Sequence, residues 1–310
     1  MTQKPTNFPD FFVVGAQKAG TTSLCAALEH ISGIAFSRPK EPMVLSRDDI
    51  ELHPHFFAEQ PEAWARCDWM RDPATMLSAY GNCFAHAKTG DLLGDGSTSY
   101  LGSADVPARI AQTNPHAKII AIFRDPTRRA YSAYWHYVKT GIACETFASH
   151  LRFEQGLTLR SGHYADFVTH WLRYFPRSRC HFILYEQMLR DPAAAVRDTC
   201  QFLGITPPAK PILPVENQAK TPRFLWIQLM QNLLCRKLGL PMSAIEDASS
   251  KHPLQRLLRA MLEWNLCDDP YPPMDAAMQQ RLDRYYARVN ERFTALTGLD
   301  TSGHWYHTIR

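Results

Sequence analysis

The sequence predicts an α/β fold of three layers, with a central parallel sheet and with helical and loop insertions around it. Three observations carry that expectation. Short apolar runs at residues 11–14, 34–36 and 117–123, with further candidates at 92–100 and 179–186, have the character of strands buried on both faces. Most of these runs lead into a polar loop and then a stretch with helical spacing, as in Leu24, Leu28 and Ile31 after the first run. The third is the loop itself: Gly15 to Gly20 followed by Thr21, Thr22 and Ser23. Backbone N–H groups at a helix start lack intrahelical partners and carry partial positive charge, so strand, glycine-bounded loop and helix form an anion cradle. Lys18 adds a full charge to that cradle. An ordinary turn needs none of these groups, and a phosphate site uses them all.

The position of the lysine separates two kinds of phosphate site. A nucleoside-triphosphate P-loop has its lysine directly after the second glycine. Here Thr21 occupies that place and Lys18 sits inside the loop, so the fold is P-loop-like while the ATP/GTP pattern fails at its most diagnostic residue.

The 310 residues suffice for a sizeable core, read as a single domain with an α/β nucleotide-binding core over 8–205 and a proline-rich loop with C-terminal helices over 206–310. Hydrophobic residues make up 45% of the chain, and 34 basic against 30 acidic residues give +4. No Lys/Arg run reads as a nucleic-acid arm. The eight cysteines are scattered without a C-x-x-C pair, which argues against a zinc site and a dense disulfide framework and for reduced thiols. With neither a signal peptide nor a long apolar run, a cytoplasmic location is expected. His53 and His55 have no further ligand signature, so no metal is expected. The segment 43–90, with Phe56, Phe57, Trp64 and Trp69, reads as a lid or acceptor wall.

Lys40-Glu41, bracketed by Pro39 and Pro42 after the 34–36 run, is a candidate catalytic pair, with a solvated turn as the alternative. Residues 92–100 read as a strand ending in a polar loop that contains Asp95, and Ser103 is placed to cap the next helix. After the 117–123 run, Asp125-Pro126 is a helix start signal. In that helix Tyr131, Tyr134, Trp135 and Val138 form an apolar stripe, and Arg128, Ser132 and His136 a polar one. Arg124 leaves the sheet at the same edge as the first loop. An arginine with a serine hydroxyl suits a phosphate monoester.

These segments together resemble the sulfotransferase family. Lys18 to Leu24, K-x-G-T-T-S-L after a strand, resembles its 5′-phosphosulfate-binding loop, and Arg124 to Ser132 resembles its 3′-phosphate-binding segment. Lys40-Glu41-Pro42 and Asp95 to Tyr100 are similar to the K-E and E-K-S-P-x-Y segments of heparan-sulfate-type and related bacterial members, and residues 282–305 to the ending of the bacterial branch. The resemblance implies sulfuryl transfer from 3′-phosphoadenosine 5′-phosphosulfate (PAPS) to a hydroxyl, or less readily an amine, of a small-molecule or carbohydrate acceptor, with 3′-phosphoadenosine 5′-phosphate as product. It puts Gln17, Lys18, Ala19, Gly20, Thr21, Thr22 and Ser23 on the 5′ side of the donor and Arg124 and Ser132 on its 3′-phosphate. Lys18 stabilises the leaving charge, Glu41 is the candidate base and Asp95 the runner-up. Met43 and Gly96 stand where carbohydrate enzymes commonly have a histidine and a lysine, which points away from a heparan-like acceptor. The competing classes are a nucleotide kinase or NTPase and a non-catalytic nucleotide-binding protein.

Beyond residue 140, Tyr164, Phe167, Trp171 and Phe175 read as core, with Tyr164 an alternative adenine contact. Asp191-Pro192 caps a helix that ends at Gly204, and 206–222 reads as an unstructured proline-rich linker. Asn217 and Arg223 resemble the late family segment N-x-x-x-x-P-R that closes over the nucleotide. Residues 224–238 are strongly apolar: a buried helix is the default, and contact with an acceptor, partner or membrane surface the alternative.

Overall fold

The computed structural model describes residues 5–47, 49, 73–153, 157–210, 212–214, 221–246 and 252–308. His53, His55, Phe56, Phe57, Trp64, Trp69 and Asn217 lie outside the described residues. The chain divides into two compact units: 1–125, 163–216 and 287–305 form the first, and 126–162, 217–286 and 306–310 the second.

The first unit is built on a five-stranded sheet of β1 (Phe11–Gly15), β2 (Ile34–Phe36), β3 (Leu92–Asp95), β4 (Lys118–Phe123) and β5 (Cys180–Leu184). Their order is β2-β3-β1-β4-β5, and every pairing is parallel. Parallel strands bury both faces, which is why Phe11 to Val14 are all 0% exposed and the run has no polar alternation. Asp10 sets the entry of β1: its carboxylate accepts from the Leu93 amide at 2.9 Å, and its carbonyl from the Lys118 amide at 3.0 Å. The strand is thereby held between β3 and β4 from its first residue. The chain leaves β1 for a helix, α1 (Thr21–Glu29), and returns to β2 at the edge. The order therefore reverses at β1, and the crevice outside the carboxyl ends of β2, β3, β1 and β4 is where an open α/β sheet collects ligands.

Two boundaries differ from the sequence reading. The run 179–186 stops as a strand at Leu184, and Tyr185–Arg190 is helical. Glu186 is thereby turned back to β4, where its carboxylate accepts from the Asp125 amide at 2.8 Å and from Trp305 Nε1 at 3.2 Å. At the end of the proline-rich stretch Thr221–Pro222 is not linker but a strand, β6, antiparallel to β7 (Leu266–Cys267) in the second unit. Asp191 caps Pro192–Leu203 as expected, accepting from the Ala194 amide, and Gly204 ends it in the left-handed region. The helix after Ser103 starts at Val106, with the Ser103 hydroxyl 3.4 Å from the Val106 amide.

The second unit contains α2 (Pro126–Lys139), α3 (Leu225–Lys237) and α4 (Pro253–Asn265). The stripe Tyr134, Trp135 and Val138 of α2 forms a core with Ala143, against which Tyr131, Phe147 and Tyr271 pack. Thr127 and Thr308 both donate to the Asp283 carboxylate, at 2.6 and 2.7 Å.

Gly94 in β3 has no room for a side chain. A Cβ there would lie 2.3–2.8 Å from three atoms of the Phe11 ring, which itself packs edge-on to Phe36. Gly94→Ala is expected to destabilise the protein by roughly 1–3 kcal/mol, the usual cost of overpacking a filled core. Urea unfolding of the two proteins checks this, and an unchanged midpoint would remove the close approach as a constraint.

Candidate active site

The loop after β1 takes its shape from two left-handed residues, Lys18 at φ 67° and Gly20 at φ 82°. For Lys18 that conformation costs roughly 1–2 kcal/mol, the kind of strain that persists where surrounding structure enforces it. At Gly20 a Cβ would meet Met188 Cε and Tyr185 Cε2 at 2.8 Å each, so only glycine fits. The start of α1 receives no side-chain cap from Gly20 and has no acidic residue in its first turn. Its amide end is thus open to an anion from outside the helix. Around it Gln17 is exposed, Ala19 and Thr21 are buried, and Lys18, Gly20, Thr22 and Ser23 are half-buried.

The end of β2 brings the pair Lys40-Glu41 to this loop. Lys40 Nζ donates to Thr22 Oγ1 at 2.8 Å and lies 3.9 Å from Glu41 Oε1. From the end of β3, Thr98 donates to Glu41 Oε2 through its hydroxyl at 2.9 Å and its amide at 3.3 Å. Ser97 Oγ accepts from the Met43 amide at 3.0 Å, anchoring the other end of the Lys40–Glu41 turn. Three adjacent strand ends are therefore joined in one chain: Thr22, Lys40, Glu41, Thr98. Glu41 keeps 36% of its side chain exposed, so its carboxylate is both oriented and accessible.

Asp95 is a different kind of carboxylate, and its candidacy as a base does not fit its surroundings. It is 0% exposed. Tyr80 and Tyr100 donate to Oδ2 at 2.7 and 3.1 Å, and the Ser97 amide to Oδ1 at 2.9 Å. Burial raises its pKa to about 6, with those hydrogen bonds acting in the opposite direction. The group ties β3 to the helix Pro73–Cys83 and to the turn 98–102, with none of its surface open to solvent. Gly96 beside it is also tightly placed: a Cβ would sit 3.2 Å from Cys25 Sγ and 3.4 Å from the Lys40 carbonyl. The Cys25 thiol itself is pushed up to about 12 by burial, which removes it as a nucleophile.

At the end of β4, Arg124 Nη1 donates to the Lys18 carbonyl at 3.0 Å, and the guanidinium lies over the Tyr185 ring at 5.0 Å from its centroid. Its Nε is buried and has no hydrogen-bond partner in the protein. An anion satisfies such a donor, so the residues present fit a phosphorylated ligand. Tyr164, an alternative adenine contact, is core: it is 0% exposed, packs on Phe123, Phe293 and Trp305, and donates to the Arg124 carbonyl at 3.0 Å. Its hydroxyl supports Arg124. Ser132 and Arg223 belong to the second unit. Ser132 is buried in α2 with its Oγ 3.5 Å from the Tyr271 hydroxyl, and Arg223 is exposed beside α3, with its amide bonded to the Asn265 carbonyl.

Thr98, Ser97, Tyr80 and Glu186 escaped the sequence reading as site-building residues. A hydroxyl two or three positions past the end of a parallel strand was the available signal for the first two; the other two are brought in by packing alone. Among the described residues no group of three or more His, Cys, Asp or Glu is arranged to hold a metal ion.

The fold and this site define a phosphate-loop α/β enzyme whose loop departs from the nucleoside-triphosphate form. The family model described as "Sulfotransferase family" matches residues 9–208, and the chain belongs to that family, whose members are PAPS-dependent sulfotransferases. Human heparan sulfate glucosamine 3-O-sulfotransferase 6 is 25% identical over 94% of this chain and 73% of its own length. Mouse bifunctional heparan sulfate N-deacetylase/N-sulfotransferase 3 is 30% identical over 93% of this chain, which spans only 30% of that relative. The crystal structure of a sulfotransferase from Alicyclobacillus acidocaldarius has the same fold, with a TM-score of 0.64 at 24% identity over 94% of this chain and 97% of that one.

Asp95 gives a pH test. Its folded pKa, about 6, lies above the ordinary 3.8, so its contribution to stability is fully present below 3.8 and is lost as pH rises through 6. Relative to Asp95→Asn, which does not titrate, the wild-type protein should lose roughly 3 kcal/mol of stability between pH 3.5 and 7. Parallel stability curves for the two proteins would mean that the buried carboxylate does not titrate in this range.

Proposed function

We propose that the protein transfers a sulfuryl group from PAPS to a hydroxyl of a small-molecule or carbohydrate acceptor, with an amine as the less favoured nucleophile. The observation that carries the reading is the Thr22–Lys40–Glu41–Thr98 chain, which ties the phosphate loop to one half-buried, oriented carboxylate. Bound PAPS supplies the activated sulfuryl group. Gln17, the amides and hydroxyls from Ala19 to Ser23 and the start of α1 hold its 5′-phosphate side. Arg124, with its unpartnered Nε, and Ser132 are assigned to the 3′-phosphate on the family motif, and Arg223 to closure over the nucleotide.

Lys18 sets its ammonium where negative charge grows on the departing phosphate. Glu41 takes the acceptor's proton, while Thr98 keeps one carboxylate oxygen fixed and leaves the other towards Lys40. Positioning and preorganised charge supply most of the rate in group transfers of this type. As for the acceptor, the human and mouse relatives described above are named for sulfation of heparan sulfate. Met43 and Gly96 remove two side chains common in such enzymes, and the packing around Gly96 leaves little space to restore one. A smaller or less anionic acceptor is therefore favoured.

The donor assignment is checked by thermal denaturation without added metal. 3′-Phosphoadenosine 5′-phosphate should raise the melting temperature well above the shift caused by AMP, because the tighter ligand stabilises the native state by mass action. Equal shifts would remove Arg124 and Ser132 from the 3′-phosphate.

Turnover separates the two charged residues. Lys18→Ala should slow sulfuryl transfer by roughly 10²–10³-fold, as when one preorganised donor is removed. Glu41→Gln should slow it by roughly 10²–10⁴-fold with little change in affinity for 3′-phosphoadenosine 5′-phosphate. Near-normal single-turnover rates in Glu41→Gln would show that the acceptor reacts without a base from this residue.

A further inference from the structure

Helix α3 wears its amphipathic pattern inside out. Gln228, Gln231 and Asn232 are buried. Asn232 Nδ2 donates to the carbonyls of Val138 and Ala143 at 2.7 Å each, and Gln231 Nε2 to the Leu258 carbonyl at 2.8 Å. Gln228 Nε2 donates to Asn232 Oδ1 at 2.9 Å. These bonds answer the amide donors and fix the polar face inward, although Gln228 Oε1 and Gln231 Oε1 are buried without a partner; a buried donor left unanswered is costly. The opposite face is thereby turned to solvent: Trp226 is 62% exposed, Met230 63%, Leu233 43% and Leu234 42%. They recur at the spacing of one helical face.

Helix α4 continues the surface. Leu258 and Leu262 are buried in a core with Cys235, Met242 and Ile245, whereas Leu257 and Trp264 remain 58% and 56% exposed. The Phe224 and Trp264 rings stack at 5.9 Å and link the two helices' outer rows. Two exposed tryptophans within a run of large apolar side chains form a patch that needs a partner.

Charge selects that partner. The two helices carry Arg236, Lys237, Arg256 and Arg259 against one acid, Glu263, which lies 3.9 Å from Arg259. A second copy of the chain, packed face to face on this patch, would bring like charges together. An anionic bilayer surface complements both features: tryptophan rings suit the headgroup level, apolar side chains the acyl boundary, and arginine and lysine the lipid phosphates. We propose that the α3–α4 face docks on an anionic phospholipid surface, lying on the bilayer without spanning it. The reading is independent of the donor and acceptor assignments.

The test is flotation of the full chain with phosphatidylcholine vesicles that contain or lack phosphatidylglycerol, together with quenching of tryptophan fluorescence by brominated phospholipid. The protein should float with the phosphatidylglycerol vesicles, show quenching there, and partition poorly to phosphatidylcholine alone. Trp226→Ser combined with Trp264→Ser should abolish flotation. Lys237→Gln and Arg256→Gln should each weaken it about fivefold, the usual effect of one basic residue near an anionic leaflet. Absence of both flotation and quenching in the unmodified protein overturns the proposal without reference to any variant. So does unchanged flotation of the folded tryptophan double variant. A wild-type dimer in sedimentation velocity that this variant converts to monomer also overturns it, with a second copy as the occupant.

Discussion

The hydrogen bond from Thr98 to Glu41 is the contact on which the active-site arrangement depends. Thr98 follows β3 and Glu41 follows β2, and the two strands are neighbours in the sheet. The bond holds the carboxylate at the strand ends, while Lys40 reaches back from the same turn to Thr22 at the start of α1. Remove the strand order β2-β3-β1 and these four residues have no reason to meet. The sheet thus acts on the chemistry through adjacency. Each strand end delivers one component, and the crevice where the order reverses gathers them.

A second layer of support keeps those strand ends in place. Asp95 accepts from two tyrosines that come from opposite sides of it in sequence, and so binds β3 to the helix Pro73–Cys83. Glu186 does the equivalent for β4, joining the Asp125 amide to Trp305 near the end of the chain. Tyr164 completes this support through the Arg124 carbonyl. Two ionisable side chains and a phenol that each resemble candidate chemistry therefore serve to hold the strand ends still. A fully buried carboxylate such as Asp95, or a buried phenol such as Tyr164, satisfied by its neighbours is poorly placed to exchange protons with a ligand.

The second unit shows the opposite relation between polarity and position. In α3 three amides face inward, while Trp226, Met230, Leu233 and Leu234 face out. Asn232 answers backbone carbonyls at the end of α2 and the loop after it, and Gln231 one in α4, which no apolar side chain could satisfy. The exposed row is the consequence.

Much of the fold and of the first loop's shape was legible in the sequence. Phe11 to Ser23 and Lys118 to Pro126 are local signals: an apolar run, a glycine loop or Asp-Pro start, and a helix, each written within about fifteen residues of chain. Buried parallel strands and anion cradles depend on backbone geometry that such short stretches set by themselves. Which carboxylate is accessible was not legible, because the burial of Asp95 comes from Tyr80, and the orientation of Glu41 from Thr98, fifteen and fifty-seven residues away. Nor could spacing say which face of 225–237 points inward; an amphipathic pattern has the same period whichever side is buried. Local residues decided what the strands and the loop are, and tertiary packing decided which of their side chains meet solvent, because burial belongs to the neighbours a residue acquires and not to the residue.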